Sequence, residues 1–253
     1  GTRVGEVPAA GARGLGADQS IRDYLRTQVL APLDEEERSF LRRTSLFETV
    51  TPDLCDTVLE RDDSAAMLPA LHRRLQLVVP LDRAGTAYRY HHLLGEALAA
   101  DLAEHDRAAV AQLHARAAPW YLRQGQIDEA IRHATESGDL VLTGQLVFLC
   151  VPLAVGIGNP DRPARWLAAI PESDIAAERW LTLSACWLAI MLGDDTDGVT
   201  LWLLRAQQHA GPTWRVDSAT EEYAAHVAVV AMVAGRGGID ETVELAARAP
   251  RGL

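Results

Sequence analysis

A chain of 253 residues with 48% hydrophobic and 23% charged residues has the composition of a folded globular protein with one or two cores. Its formal net charge of −11 and pI of about 5.2 argue against a nucleic-acid-binding face, which draws on basic side chains. All 24 basic residues are arginine, so the sequence holds no phosphate-cradling G-x-x-x-x-G-K-[ST] loop and no catalytic lysine.

Residues 1–17 are rich in Gly and Ala and read as a linker. Asp18 or Ser20 then starts a helix carrying Ile21, Tyr24, Leu25, Val29 and Leu30 on one stripe, and Pro32 stops it. Asp34 caps a second helix whose first turn, Glu35 to Glu37, complements the positive end of the helix dipole. Phe40, Leu41, Leu46 and Phe47 follow as core. Thr51-Pro52-Asp53 opens a third, short helix, with Pro52 where a missing N–H costs nothing. Asp62 or Asp63 caps a fourth, carrying Met67, Leu68, Leu71 and Leu75.

The period then changes from helical to extended. Leu77–Leu81 reads as a strand, Asp82–Thr86 as a Gly-containing turn and Ala87–Tyr90 as the returning strand. From His91 the pattern is helical again through Leu93, Leu94, Ala97, Leu98 and Leu102. Helices, a β-hairpin and a closing helix are the order of a winged-helix domain, here residues 18–104. Such a domain often reads DNA, but between Asp18 and Glu104 sixteen carboxylates stand against ten arginines, so no direct DNA binding is expected of it.

From residue 105 to 253 the pattern is a helical array without strand signals. Gly125, Asn159 and Gly193 recur at a spacing of 34, and Gly237 fits as a fourth unit after a loop around Gly211-Pro212. Each is followed five residues on by Ala130, Ala164, Gly198 or Thr242 and preceded by Trp120, Ala154, Leu188 or Met232. Gly or Asn closes the first helix of a pair in a left-handed turn, and the small residue lets the helices approach. The period is that of tetratricopeptide-like units, and the fold class is mainly α, a winged helix followed by such an array. Leu140–Gly158 is apolar enough to resemble a membrane span, but Thr143 and Gln145 interrupt it and Pro152 breaks it. It reads as a buried pair of core helices in a cytoplasmic protein, with no membrane partner.

Little in the chain reads as catalysis. No G-x-S-x-G, H-E-x-x-H or paired-cysteine framework occurs, and the chain reads as non-enzymatic. Cys55, Cys150 and Cys186 are scattered and read as buried thiols. His92 and Glu96 have metal-ligand spacing on a helix but lack further ligands, so no metal is expected. Among six tryptophans, Trp202 and Trp214 flank the long loop and are the candidates to stack on a flat ligand.

Several stretches carry a family resemblance: Phe40-Leu41-Arg42-Arg43-Thr44-Ser45, Leu75-Gln76-Leu77-Val78-Val79-Pro80-Leu81-Asp82, Tyr88-Arg89-Tyr90-His91-His92-Leu93-Leu94 and Glu129-Ala130-Ile131-x-His133-Ala134. Together they resemble the large MalT-like members of the LuxR family of bacterial transcription regulators, which are signal-transduction ATPases of the NLR-like class. The resemblance is dense over about 18–140 and thins toward 210. It implies an ATPase domain before the winged helix, a helical-repeat sensor after it, and a C-terminal helix-turn-helix that binds promoters. On that reading this chain is the middle segment, a fragment or a truncated homologue. Its partners would be its own ATPase and helix-turn-helix domains and a small-molecule inducer or regulatory protein. It would hold no cofactor itself; ATP or ADP would sit only in the ATPase domain. The resemblance also implies a role for His91. In related switches a His in a Met-His-Asp-Leu-Leu motif reaches the phosphate of ADP, and that motif aligns with Tyr90-His91-His92-Leu93-Leu94. The departure at His92, where the motif has Asp, puts the local hydrogen bonding in question. The runner-up function is an interaction scaffold carried by a signalling protein such as a kinase.

Overall fold

The structure, a computed structural model, describes residues 25–159, 161–193, 196–210 and 218–233. The chain forms two compact units, Gly1–Ala117 and Ala118–Leu253.

The first described element of the first unit is a π-helical turn, Leu25–Leu30; the expected helix start at Asp18 or Ser20 lies outside the described residues. Helix α1 (Glu35–Thr44) begins with a reciprocal cap: the Glu37 N–H donates to Asp34 Oδ1 at 2.8 Å and the Asp34 N–H to Glu37 Oε2 at 3.1 Å. Such a cap stabilises a helix start by about 1 kcal/mol. Glu37 is buried and also pairs with Arg74, whose other nitrogen donates to the Pro32 carbonyl. Helix α2 (Pro52–Leu59) is capped by Thr51, which accepts from Leu54 N–H, and ends on Glu60 in the left-handed region at φ 55°.

Helix α3 (Ser64–Arg74) does not start as the sequence suggests. Asp63 holds the N-cap position, yet its carboxylate makes no cap bond, because Arg61 binds it. The Ser64 N–H goes instead to Asp56 Oδ1 at 3.0 Å, from the preceding helix. Strands β1 (Val78–Pro80) and β2 (Tyr88–Tyr90) pair antiparallel, with Val79 opposite Arg89. Val50 adds a bridge to Tyr88, exchanging two bonds of 2.8 Å. Helix α4 (His92–His105) follows and packs on α1. Phe40, Leu41, Leu54, Leu68, Leu71 and Leu94 are fully buried between these elements.

Helix α5 (Arg107–Arg123) carries the chain across the division between units. The sequence period breaks at 104/105, but Arg116 bonds the Val58 carbonyl and Glu60, and Leu113 and Ala117 are buried; the first turns of α5 therefore belong with the first unit.

The second unit contains α6 (Ile127–Glu136), α7 (Leu140–Gly156), α8 (Asp161–Ala168), α9 (Glu172–Ala177), α10 (Arg179–Leu192), α11 (Thr196–Ala210) and α12 (Ser218–Val233). One cluster of buried side chains joins α6, α7, α8 and α10 around Ile131, Val147, Cys150 and Leu181. A second joins α10, α11 and α12 around Leu183, Cys186, Ala206 and Val230. Trp120, Ala154 and Leu188, at the repeated positions, are all buried.

Two expectations change here. The segment from Leu140 is one helix, not a buried pair: Pro152 sits on its exposed side, where the carbonyl that loses a partner can turn to water. Val141, Leu149 and Leu153 are exposed too, and no described helix is long and apolar enough to cross a membrane. The left-handed turn of the second pair falls on Gly158 (φ +77°) rather than Asn159. Gly158 bonds back to Val155 and Asn159 to Ala154, the pattern that Gly125 and Gln126 make with Leu122 and Tyr121. A residue without Cβ takes that conformation more easily than Asn does. Helix α9 lies within the second repeat unit's 34-residue period and carries no periodic signal of its own. The unit proposed around Gly237 lies outside the described residues.

Burial accounts for the cysteines. All three are buried free thiols; burial pushes Cys55 up to about 12 and Cys150 and Cys186 to about 11, which keeps them protonated and unreactive.

Candidate functional site

The first candidate is a recess where the hairpin meets α4. Alternation along β2 buries Tyr88 and Tyr90 and turns Arg89 outward. The Tyr90 hydroxyl lies 2.6 Å from Thr44 Oγ1, which itself donates to the Phe40 carbonyl at 2.7 Å, so Tyr90 is the donor to Thr44. Burial pushes the Tyr90 phenol far above its ordinary range, so it stays protonated. This bond ties β2 to α1.

His91 is the N-cap of α4 and holds its backbone firmly. Its N–H donates to the Leu77 carbonyl at 2.7 Å, and its carbonyl accepts from Leu94 and Gly95 at 2.9 and 3.0 Å. The side chain makes no cap bond and is exposed. The His91 and His92 rings lie 4.5 Å apart, tilted by 34°. Arg89, His91 and His92 line a cavity of about 450 Å³ with Ser45, Glu48 and Glu96. Among the described residues the Arg89 guanidinium has no carboxylate or carbonyl partner. His92 and Glu96 share the recess but belong to no group of three described side chains able to hold a metal ion.

The tryptophan candidates divide. Trp202 is half-buried against both clusters of the second unit, and Arg205 covers its ring at 4.7 Å while pairing with Glu172 at 3.0 Å. Trp214 lies outside the described residues. A different tryptophan lines a cavity of about 500 Å³ in this unit: Trp166, with Ile131, Arg132 and Arg165. Its indole N–H donates to Asp128 Oδ1 at 2.7 Å, and Arg162 Nε donates to the same oxygen at 2.9 Å. The Arg162 bond, reinforced by Trp166, holds the Asp128 carboxyl below its usual range. Arg162 stands 34 positions after Asp128, one repeat period, and that spacing was the available signal.

A family model described as the MalT winged helix domain matches residues 26–110. The HTH-type transcriptional regulator MalT of Vibrio campbellii is 30% identical over 125 residues, 49% of this chain and 14% of that protein. The MalT protein of Klebsiella pneumoniae is 28% identical over 171 residues, 66% of this chain and 19% of its own length. The serine/threonine-protein kinase PknK of Mycobacterium tuberculosis is 27% identical over 184 residues, 71% of this chain and 16% of the kinase. The chain thus spans a small part of each relative's length. Residues 26–110 are a MalT-type winged-helix domain, within a chain that is MalT-like in sequence over a region these regulators share with PknK.

Proposed function

We propose that this chain is a non-enzymatic regulatory segment of a cytoplasmic LuxR-type transcription regulator. Its winged helix couples the nucleotide state of an ATPase domain to the helical array, and the array receives an inducer or a regulatory protein. A C-terminal helix-turn-helix, not this segment, contacts the promoter. The observation that carries this reading is His91: an exposed imidazole on a fixed backbone, beside Arg89, which has no carboxylate or carbonyl partner among the described residues, in a domain of the MalT kind. Arg74, one of few basic side chains near the end of α3, is engaged by Glu37 and Pro32, which further weakens a DNA-reading role. Coupling requires that ADP bind one arrangement of the domains better than the other.

The test is the ADP affinity of the full-length gene product with and without His91→Ala. A loss of one phosphate contact predicts a weakening of about tenfold, or about 1.4 kcal/mol. Unchanged affinity refutes the role of His91.

The PknK match favours a second reading, in which the same modules serve as an interaction scaffold beside a kinase domain. The flanking sequence separates the two: a helix-turn-helix downstream supports the regulator, a kinase domain upstream the scaffold.

A further inference from the structure

We propose that the cavity between α6 and α8 binds an apolar α-amino acid as its zwitterion, with the carboxylate on Arg165, the ammonium on Asp128 and the side chain against Trp166 and Ile131. The inference rests on the reading of the array as the receiver of a small molecule, and it adds the place and the ligand's chemistry.

Asp128, Ile131 and Arg132 recur at i, i+3 and i+4 and so share one face of α6, while Arg165 and Trp166 line the same cavity from α8. Ile131 and Trp166 are buried and floor a space of about 500 Å³, within the range of small-molecule sites. The indole is fixed before any ligand arrives, by its bond to Asp128 and by the Arg162 guanidinium 5.4 Å from its centroid. Other polar groups at the rim are already engaged. Arg132 pairs with Glu129 and Glu136, and Thr135 Oγ1 donates to the Ile131 carbonyl. Arg165 and Asp128 keep capacity to spare. Arg165 is exposed and has no hydrogen-bond or ion-pair partner among the described residues. Asp128 receives Arg162 and Trp166 on one oxygen, Oδ1, which leaves Oδ2 to accept from a ligand. The Arg162 bond is the main reason that the Asp128 carboxyl titrates below its usual range, and the nearby Arg165 charge adds to it, so Asp128 is ionised at neutral pH.

These groups select a ligand. The carboxylates of Asp128 and Glu136 balance the guanidinium groups of Arg132 and Arg165, so the cavity favours neither a bare anion nor a bare cation. A zwitterion is neutral as a whole and satisfies both spare groups. Its carboxylate suits the forked donors of a guanidinium, and its ammonium suits a carboxylate oxygen. In an α-amino acid both charges sit at one end, which leaves the side chain free to cover the apolar floor.

The test titrates L-phenylalanine into the 253-residue chain at pH 7 by isothermal titration calorimetry. The indole N–H resonance that Trp166→Phe removes reports the place of binding by NMR. A Kd of about 1 mM or tighter is expected, with a shift of that resonance. 3-Phenylpropionate, which lacks the ammonium, and L-phenylalaninamide, which lacks the carboxylate, should each bind about tenfold more weakly or worse. Arg165→Gln should weaken phenylalanine about tenfold and change the amide little, whereas Arg205→Gln, at an exposed ion pair elsewhere in the unit, should change neither. An unchanged thermal melt confirms that the variants fold. No binding at about 10 mM phenylalanine, equal binding of the three compounds, or an Arg165→Gln variant that binds like wild type overturns the proposal. The transcriptional output of the full-length gene product separates the site from its use. If the chain binds phenylalanine as stated while that output ignores it, the site stands and its role in receiving an inducer falls. If the output responds to phenylalanine equally in wild type and Arg165→Gln, the inducer reading stands and this site falls.

Discussion

Gly144→Ala is the sharpest test of the packing in the second unit. Gly144 sits on α7 where the Glu178 side chain crosses it, and a Cβ built there would lie 2.0 Å from Glu178 Oε2 and 3.2 Å from Trp180 Cβ. Alanine at a helix interior normally gains about 1 kcal/mol over glycine. Here the methyl must either push α7 off α10, at about 1–3 kcal/mol for overpacking, or drive the Glu178 carboxylate away. The second route forfeits the bond from the Leu181 N–H to Glu178 Oε2 at 2.8 Å, a cap of about 1 kcal/mol, and exposes a buried position. With the helix gain set against that cost, the net is a loss of up to about 2 kcal/mol, or a few degrees in Tm for a chain of this size. Differential scanning calorimetry of the wild type, Gly144→Ala, Glu178→Ala and the double variant forms a cycle. The clash disappears with Glu178, so Gly144→Ala should be neutral or stabilising in the Glu178→Ala background. A rise in Tm for Gly144→Ala alone would refute the reasoning.

The Glu178 carboxyl also sets a pH dependence. Burial raises its pKa in the fold above the unfolded value, so the folded state holds its proton longer and stability falls as pH rises through the unfolded pKa of about 4.3 toward the folded one. Glu178→Gln keeps an oxygen for Leu181 and should gain stability relative to wild type between about pH 4 and 7; a constant difference across that range would contradict this. At the Thr44–Tyr90 pair, Tyr90→Phe removes one bond and leaves Thr44 satisfied by Phe40, at about 1 kcal/mol, whereas Thr44→Val strands a buried hydroxyl at up to about 3 kcal/mol. Urea midpoints in the opposite order would show that the donor is misassigned. Glu60→Gly relieves the left-handed strain at φ 55° and loses an exposed ion pair with Arg116, so its stability should equal or exceed wild type by up to about 1 kcal/mol; a clear loss would mean that the ion pair dominates.

Much of the first unit was legible because its signals are local. Asp34 and Glu37 stand three apart, Thr51 precedes Pro52, and Tyr88 and Tyr90 flank an outward Arg89; each needs only its neighbours to act. What escaped depends on partners far along the chain. Asp56 replaces Asp63 at the start of α3 because the turn brings two helices together, and Val50 joins the hairpin through a single residue. Gly158 and Asn159 both tolerate a left-handed turn, so a period alone placed it one residue late. At the site, Arg89, His91 and His92 are adjacent in sequence, but the carboxylates that oppose them come from Glu48 and Glu96. The cluster of Asp128, Arg162 and Trp166 joins residues 34 and 38 positions apart and has no local pattern at all.

The central claim is that the junction of β2 and α4 feels the nucleotide. Hydrogen–deuterium exchange of the full-length gene product, with and without saturating ADP, tests it most directly through the amides of Tyr88 to Gly95. ADP should slow their exchange in the wild type and lose that effect in His91→Ala. Equal exchange in the wild type with ADP bound and absent would contradict the account.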